Sequence, residues 1–321
     1  MGKKIILDMD LGIDDAMALA YIVGNTEAEL LGVTGTYGNV YVGQGIKNAR
    51  MILNLLGADQ IPVTGGLEHA LCKGKFERME VSAQIHGTDG IGNVSEYLNE
   101  EENVNGIEKE GAVRFILDHA KKYNKDLTLV TTGPLTNAAE AIRMDRESMK
   151  QIGRIVVMGG ALTVNGNVTV SAEANIYQDP QAAKEVFESG IPVTMVGLDV
   201  TTRSVLSKED VAHWRDSGSR AGDIFAQMTE YYIEQHAEIE KLYGKCHLHD
   251  PSAVICAMHP EWFQTLKMYM TVLTEGEGMG RTLGIGNKIR EKHPNVDVCI
   301  QVDSDKVVRE LNAVLLEVFK K

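Results

Sequence analysis

Short apolar segments alternate along the chain with longer segments in which apolar residues recur every three or four positions. The short segments are typical of strands buried in a parallel sheet, and the longer ones are typical of amphipathic helices. Strands are predicted at 4–7, 30–36, 127–131, 154–158 and 192–198. Helices are predicted at 13–23, 43–56, 112–123, 137–143, 180–188, 221–242 and 252–258.

The alternation of strands and helices predicts an α/β protein. We expect a single Rossmann-like domain covering residues 1–321, with a mostly parallel central sheet and helices on both faces. No repeat or low-complexity linker interrupts the pattern. Residues 70–110 are polar and rich in glycine, so we expect an irregular excursion there.

Composition narrows the class of partner. The formal net charge of −13 argues against nucleic acid, because phosphate binding requires clustered Lys and Arg. This charge suits a cation or a neutral small molecule. No stretch of roughly 18 apolar residues is present, so we expect no membrane partner. The cysteines form no C-x-x-C pair, which favours free thiols and a cytoplasmic location.

Four carboxylates fall within the segment DMDLGIDDAM, directly after the first predicted strand: Asp8, Asp10, Asp14 and Asp15. Asp14 and Asp15 fit the first turn of a helix, where the macrodipole stabilises a negative charge by about 0.3–1 kcal/mol. That explanation omits Asp8 and Asp10, which lie at alternate positions and therefore on the same side of a strand. A bound cation would relieve their repulsion, and an all-oxygen ligand set suits Ca²⁺ or Mg²⁺ better than zinc.

Other polar residues follow the later strands. Asn39 follows the second strand, Thr132 ends the strand at 127–131, and Asp199 follows the strand at 192–198. In open parallel sheets, ligands bind beyond the carboxyl ends of the strands. We therefore expect these polar groups, which are far apart in sequence, to gather along one edge of the sheet.

A phosphatase also fits part of this pattern. The segment LDMD resembles the D-x-D start of a haloacid-dehalogenase-type phosphatase, in which Asp8 would be the nucleophile and Mg²⁺ would bind the phosphate. However, the residues from Leu11 to Asp15 do not follow the pattern of that family. The end of no later strand supplies the paired aspartates of that family either. Phosphatase activity is therefore kept only as an alternative function.

The segment DMDLGIDDAMAL resembles the D-T-D-P-G-x-D-D-A signature of the inosine–uridine-preferring nucleoside hydrolases. Further segments resemble the later blocks of that family in the same order: IHGTDGIGNV, LVTTGPLTNAA, VVMGGALTVNGNVTVSAEANIYQDPQAAKEVF, GLDVT, LHDPSAV and PNVDVCIQVD. Several spaced motifs in one order are far more specific than a single motif. The resemblance implies an enzyme that cleaves the N-glycosidic bond of purine or pyrimidine ribonucleosides.

The resemblance also implies a Ca²⁺ ion at the bottom of the pocket. Its protein ligands would be Asp10, Asp15, the backbone carbonyl of Thr132, and Asp250. A water molecule on such an ion loses a proton more readily, and Asp10 would accept that proton as general base. The water would attack an oxocarbenium-like ribose, and His249 would protonate the leaving base, because an ordinary pKa of about 6.5 suits that task.

The same resemblance assigns further residues to the substrate, which would be a small-molecule ribonucleoside. The 2′- and 3′-hydroxyls would be bound by Asp14, Asn39 and Asn175, and the 5′-hydroxyl by Asn167 and Glu173. Other contacts would come from His86, Met158, Tyr231 and His236, the last two on the predicted helix 221–242 that covers the base. Family members are commonly homodimers or homotetramers, and we expect the same here.

Simpler roles remain open at some of these positions. Asp250 precedes Pro251 and also fits an ordinary helix N-cap. A nucleoside-binding protein without turnover would keep the pocket, although it would not need Asp10 as a base. Leu11 and Ala174 replace the usual proline and phenylalanine of the family, so we expect a looser loop and room for a larger 5′ substituent. The sequence does not decide between purine and pyrimidine bases.

Overall fold

A computed structural model describes residues 2–98, 111–285 and 293–320. The strands in this part of the chain are β1 (Lys3–Met9), β2 (Ala28–Gly35), β3 (Val63–Gly65), β4 (Leu127–Thr131), β5 (Arg154–Met158), β6 (Val193–Val196), β7 (Val205–Ser207), β8 (Lys245–His247), β9 (Phe263–Met268), β10 (Met270–Val272), β11 (Thr282–Gly284) and β12 (Val296–Val302). The helices are α1 (Ile13–Gly24), α2 (Val42–Leu55), α3 (Glu80–His86), α4 (Gly111–Tyr123), α5 (Thr136–Met144), α6 (Arg146–Met149), α7 (Ala174–Gln178), α8 (Pro180–Phe187), α9 (Leu198–Thr201), α10 (Lys208–Ala212), α11 (Arg220–Ile239), α12 (His249–Met258) and α13 (Ser304–Phe319).

The central sheet of the described chain has its strands in the order β3-β2-β1-β4-β5-β6-β12-β9. Neighbouring strands are parallel except β9, which runs antiparallel to β12 at the edge. Two short antiparallel pairs, β7–β8 and β10–β11, lie outside this sheet. The prediction of an α/β fold with a mostly parallel sheet is confirmed.

Both faces of the sheet are covered by helices. Ile5 and Leu7 of β1 pack into a core with α1, α12 and α13, whereas Ile6 packs on the opposite face with α4, α5 and α8. Successive side chains of a strand point to opposite faces, so a strand buried on both faces is apolar throughout. This explains why β1 reads as an uninterrupted apolar run, and it confirms the predicted layers.

The predicted elements recur with small shifts in their ends. β4 and β5 coincide with the predicted strands, and α1 begins at the predicted Ile13. The pattern did not predict β9, β12 or α13. The predicted excursion at 70–110 contains α3, and its residues 99–110 lie outside the described residues. None of the described helices is long and apolar enough to cross a membrane.

The strand order places a crevice at the centre of the sheet. From β1 the chain proceeds to β2 and β3 on one side, whereas β4, β5 and β6 follow one another on the other side. The direction of strand order therefore reverses between β1 and β4, and ligands bind at such switch points in open α/β sheets. The carboxyl ends of these two strands carry the acidic segment and Thr132.

Candidate active site

A cavity of about 430 Å³ opens at this switch point. Its walls come from the segments that follow β1, β2, β4, β5 and β6, together with α3, α7, α11 and α12. Most of the predicted site residues line it: Asp14, Asn39, His86, Thr132, Met158, Asn167, Glu173, Asn175, His236, His249 and Asp250. Polar residues from distant parts of the sequence therefore meet in one cavity, as the strand ends predicted.

Three buried carboxylates form a group at this cavity. One carboxylate oxygen from each of Asp14, Asp15 and Asp250 lies within 4.8 Å of the others. Asp14 and Asp15 are in the first turn of α1, and Asp250 is in the first turn of α12, which packs against α1. The N-cap of α12 is Leu248, so Asp250 is not the helix cap that Pro251 suggested.

Burial makes the negative charges of this group costly. It raises the pKa of Asp15 to about 7, with a further contribution from the charge of Asp14. Burial and the neighbouring carboxylates also raise the pKa of Asp250 well above its ordinary value. Asp14 Oδ1 is buried and has no hydrogen-bond partner among the described residues. A cation is the ligand that such a group of oxygen atoms would bind.

Asp15 is fixed by two short hydrogen bonds. Its Oδ2 accepts from the backbone N–H of Gly12 at 2.6 Å, and its Oδ1 accepts from the Thr132 hydroxyl at 2.6 Å. The first bond caps α1, and the second ties the start of α1 to the end of β4. Asp15 is therefore held rigidly before any ligand binds.

Asp10 lies beside this group of three rather than in it. Asn39 donates to both of its oxygens, from the backbone N–H at 2.8 Å and from Nδ2 at 3.0 Å. Gly38 makes this approach possible, because a Cβ atom there would lie 1.8 Å from Asp10 Oδ2. Burial, followed by the charge of Asp15, raises the pKa of Asp10 well above its ordinary value.

The residues predicted to bind the ribose differ in how many of their polar atoms already have hydrogen-bond partners in the protein. Asn175 donates from Nδ2 to the carbonyl of Thr132 at 3.0 Å and to that of Met158 at 3.2 Å. Glu173 instead caps α7, and its carboxylate accepts three backbone N–H groups, including that of Gly160 at 2.9 Å. Asn167 accepts from the backbone of Ala174 at 3.0 Å, which leaves its Nδ2 for a ligand.

Helix α11 turns Tyr232, rather than Tyr231, toward the cavity. Tyr231 donates its hydroxyl hydrogen to the carbonyl of Gln84 and is not a lining residue, whereas Tyr232 and His236 both line the cavity. The two lining residues are four positions apart and therefore share one face of the helix. Sequence reasoning missed Tyr232, although this spacing from His236 was the signal that could have found it.

Two histidines complete the wall next to α11. His86 accepts from the backbone N–H of Ile13 at 3.1 Å, and burial lowers its pKa to about 3. His249 Nδ1 is 2.8 Å from the Thr201 hydroxyl, and burial together with His247 lowers its pKa to about 3 as well. Both rings are neutral near pH 7, which differs from the ordinary pKa assumed for His249.

Asp8, the nucleophile of the phosphatase alternative, is not a lining residue. It is fully buried, and its Oδ1 accepts from the Thr34 hydroxyl at 2.6 Å and from Asn137 Nδ2 at 2.9 Å. Asp199 has a supporting role, since it accepts the backbone N–H groups of Leu162 and Thr163. Among the described residues that line the cavity, none is a lysine or an arginine that could bind phosphate.

The similarity of this chain to known proteins extends over almost its whole length. A probable uridine nucleosidase 2 from Arabidopsis thaliana is 34% identical over 98% of this chain and 98% of its own. The pyrimidine-specific ribonucleoside hydrolase RihA of Klebsiella pneumoniae is 33% identical over 96% of each chain. The solved structure of a purine-preferring ribonucleoside hydrolase from Gardnerella vaginalis superposes with a TM-score of 0.95, at 44% identity and 99% coverage of each chain.

The family model described as inosine-uridine preferring nucleoside hydrolase matches residues 5–309. The match includes the acidic segment after β1, the cavity residues of α7 and α11, and the start of α12. Fold, cavity and sequence thus agree: the chain belongs to the inosine-uridine preferring nucleoside hydrolase family and is a hydrolase that acts on nucleosides.

Proposed function

We propose that the protein is a Ca²⁺-dependent ribonucleoside N-ribohydrolase whose catalytic domain spans residues 1–321 and whose preferred substrates are purine ribonucleosides. The observation that carries this proposal is the group of buried carboxylates Asp14, Asp15 and Asp250 at a cavity that has no cationic side chain among its described lining residues. The 44% identity to a purine-preferring ribonucleoside hydrolase supports the choice of purines.

The residues at the cavity fit a calcium ion. All the candidate ligand atoms are oxygens, which is the set that Ca²⁺ prefers, and the orphaned Oδ1 of Asp14 indicates an uncompensated acceptor. Asp15 and Asp250 would hold the ion, with Asp10 and the carbonyl of Thr132 completing the protein ligands. A bound divalent cation would compensate the charges that burial disfavours, lower the pKa of the attacking water and orient the ribose hydroxyls.

Asp10 is the residue that would accept the proton of the attacking water. The two hydrogen bonds from Asn39 fix the orientation of its carboxylate and stabilise the ionised form that a base needs. A general base must be held within hydrogen-bond reach of the proton that it removes. Gly38 and Asn39 together supply this orientation from the loop that follows β2.

Ribose recognition would fall to Asp14, Asn39 and Asn175. Carboxylate and amide groups form directional hydrogen bonds to vicinal hydroxyls, and a site built for a hydroxyl discriminates against a substrate that lacks it. Asn175 is already oriented by the carbonyls of Thr132 and Met158. Asn167 would bind the 5′-hydroxyl through its Nδ2, whereas Glu173 would position the loop, because its oxygens already accept backbone N–H groups.

His249 would assist the departing base as a neutral imidazole. A ring with a pKa of about 3 is not an imidazolium near pH 7, but it still carries one N–H group. This N–H group would donate a hydrogen bond as negative charge develops on the base. The Thr201 hydroxyl, 2.8 Å from Nδ1, fixes the orientation of the ring.

Removal of His249 provides a test of this role. We expect His249→Ala to lower kcat roughly 100-fold with inosine. We expect at most about a three-fold loss with p-nitrophenyl riboside, whose leaving group departs as a stable anion. Steady-state kinetics with both substrates measure these effects. Replacement of the exposed His213 by alanine is the control and should change neither kcat value. Equal losses on the two substrates would show that His249 does not assist the base.

Incubation of the purified enzyme with a panel of nucleosides tests the proposed function itself. With Ca²⁺ present, chromatography should detect free base and ribose from inosine, guanosine and adenosine, with slower release from uridine and cytidine. 2′-Deoxyinosine should react at least about 100-fold more slowly than inosine. p-Nitrophenyl phosphate should not react. Phosphate release from that ester, without base release from any nucleoside, would restore the phosphatase alternative.

A further inference from the structure

A group of ionisable side chains next to the cavity has no role in the proposed mechanism. Glu240, directly after α11, and His236, in its last turn, both line the cavity. His247, on β8, lies behind them, with its ring centre 5.7 Å from that of His236 and 5.5 Å from that of His249. His249 is the residue proposed to face the leaving base, so Glu240 and His236 lie at the base end of the cavity.

The hydrogen bonds of the two histidines fix where their protons lie. His236 Nδ1 is 3.0 Å from the carbonyl of Tyr232, and a carbonyl only accepts, so Nδ1 carries the proton. Burial lowers the pKa of His236, so the ring is neutral and its Nε2 is an acceptor. His247 Nε2 is 3.1 Å from Glu240 Oε2 and donates to it, whereas its buried Nδ1 has no partner among the described residues.

Glu240 is therefore an ionised acceptor at the base end. Burial alone would raise its pKa, but the hydrogen bond from His247 and the nearby histidines outweigh this effect and lower the pKa to about 2. Its Oε2 is 4.0 Å from His236 Nε2, beyond hydrogen-bond distance. Within the described part of the chain, no residue donates to Glu240 Oε1. An ionised carboxylate has about four acceptor positions, so most of them are open to a ligand.

The other residues at the base end of the cavity do not offset the preference for hydrogen-bond donors that Glu240 and His236 create. The hydroxyl of Thr202 already donates to the carbonyl of Leu198 at 2.7 Å. Ile239 and Leu198 are apolar, and the described lining contains no lysine or arginine. A base that enters here meets a carboxylate and an imidazole lone pair, both of which require N–H donors.

We propose that Glu240 determines the base specificity of the enzyme by accepting hydrogen bonds from the edge of the base. This inference rests on the proposed function and adds the substrate class. The two oxygens of a carboxylate match two adjacent N–H donors, a ring N–H and a neighbouring amino group, which guanine carries and hypoxanthine only half provides. Adenine presents a ring-nitrogen lone pair at the corresponding position, which the carboxylate repels. Guanosine is therefore the preferred purine ribonucleoside.

The test compares guanosine with inosine, which differ only by the amino group. Wild-type enzyme should show a higher kcat/KM for guanosine, and Glu240→Gln should lower the guanosine-to-inosine ratio about ten-fold. Glu238→Gln is the matched control, since Glu238 lies two residues before Glu240, in the last turn of α11, and does not line the cavity. A loss of packing alone would lower both rates and leave the ratio unchanged.

A second measurement uses the wild-type enzyme, so it tests the role of Glu240 even if the Glu240→Gln variant does not fold. 1-Methylguanosine lacks the ring N–H, and its kcat/KM should fall about ten-fold below that of guanosine. A guanosine-to-inosine ratio that Glu240→Gln leaves unchanged, or a wild-type enzyme indifferent to the methyl group, would overturn the role of Glu240 while leaving nucleoside hydrolysis intact. Wild-type enzyme that releases no base from any nucleoside would overturn both proposals together.

Discussion

Replacement of Asp10 by asparagine is expected to lower kcat for purine ribonucleosides about 1,000-fold, because an amide cannot accept the proton of the attacking water. The substitution keeps the size of the side chain. It also turns one of the two hydrogen bonds from Asn39 into a contact between donors, so the orientation is lost along with the base. Steady-state base release under saturating inosine measures the effect.

Asp8→Asn is the matched control for this prediction. Asp8 lies two residues earlier, on β1, and is equally buried, but its carboxylate contacts Thr34 and Asn137 rather than the carboxylates at the cavity. An asparagine oxygen would still accept from Thr34 and Asn137, so we expect nearly full activity. If Asp10→Asn retained more than a tenth of the wild-type kcat while remaining folded, Asp10 would not be the base.

Removal of divalent cations is expected to abolish turnover and to make the folded state less stable as the pH rises. In the metal-free protein the pKa of Asp15 is raised to about 7 and that of Asp8 to about 6, both above the value of about 3.9 in an unfolded chain. Between the unfolded-state pKa and these raised pKa values, the folded state therefore binds more protons than the unfolded state. Its free energy of unfolding falls as the pH rises through this range. For Asp15 this loss is of the order of a few kcal/mol, and it is complete above pH 7.

Bound Ca²⁺ would replace those protons at Asp15, so its stabilising effect should grow with pH. We expect a larger rise in Tm on adding calcium at pH 8 than at pH 5, measured after treatment with a chelator. The Asp8 carboxylate does not line the cavity and contacts Thr34 and Asn137, so it should contribute the same pH dependence with and without the ion. A calcium-induced rise in Tm that is equal at both pH values would contradict compensation of buried carboxylates.

The sequence predicted the part of the sheet that positions the site, because buried parallel strands are apolar throughout and end abruptly. β4 and β5 coincide with their predictions for this reason. β9 was missed because it is an edge strand with exposed residues over most of its length, so neither continuous apolarity nor alternation marks it. The convergence of Asp15, Thr132 and Asp250 was implied by the family resemblance and by the strand ends together.

Leu11 shows where a local interpretation of the sequence fails. The replacement of proline by leucine suggested a looser loop, whereas Leu11 is fully buried and has a φ of +42°. Proline cannot adopt a positive φ, so the turn after Asp10 has a conformation here that the usual residue of the family could not share. Packing of the Leu11 side chain into the core holds this conformation, and no property of the isolated segment indicates it.

The lowered pKa values of the buried histidines also could not be predicted from the sequence. An ordinary pKa suggested that His249 acts as an imidazolium, but burial beside His247 leaves it neutral. The choice between Tyr231 and Tyr232 likewise depends on how α11 is rotated about its axis, and this rotation places the Tyr231 hydroxyl on the carbonyl of Gln84 in α3. Both properties arise from tertiary packing, so residue type and spacing alone could not supply them.

A crystal structure with Ca²⁺ and a C-nucleoside, whose base is joined through carbon and cannot be released, tests the central proposal most directly. We predict one calcium ion within about 2.3–2.6 Å of carboxylate oxygens of Asp15 and Asp250, with the ribose diol on the same ion and Asp10 alongside. A nucleoside bound in the cavity with only solvent between those carboxylates would contradict it.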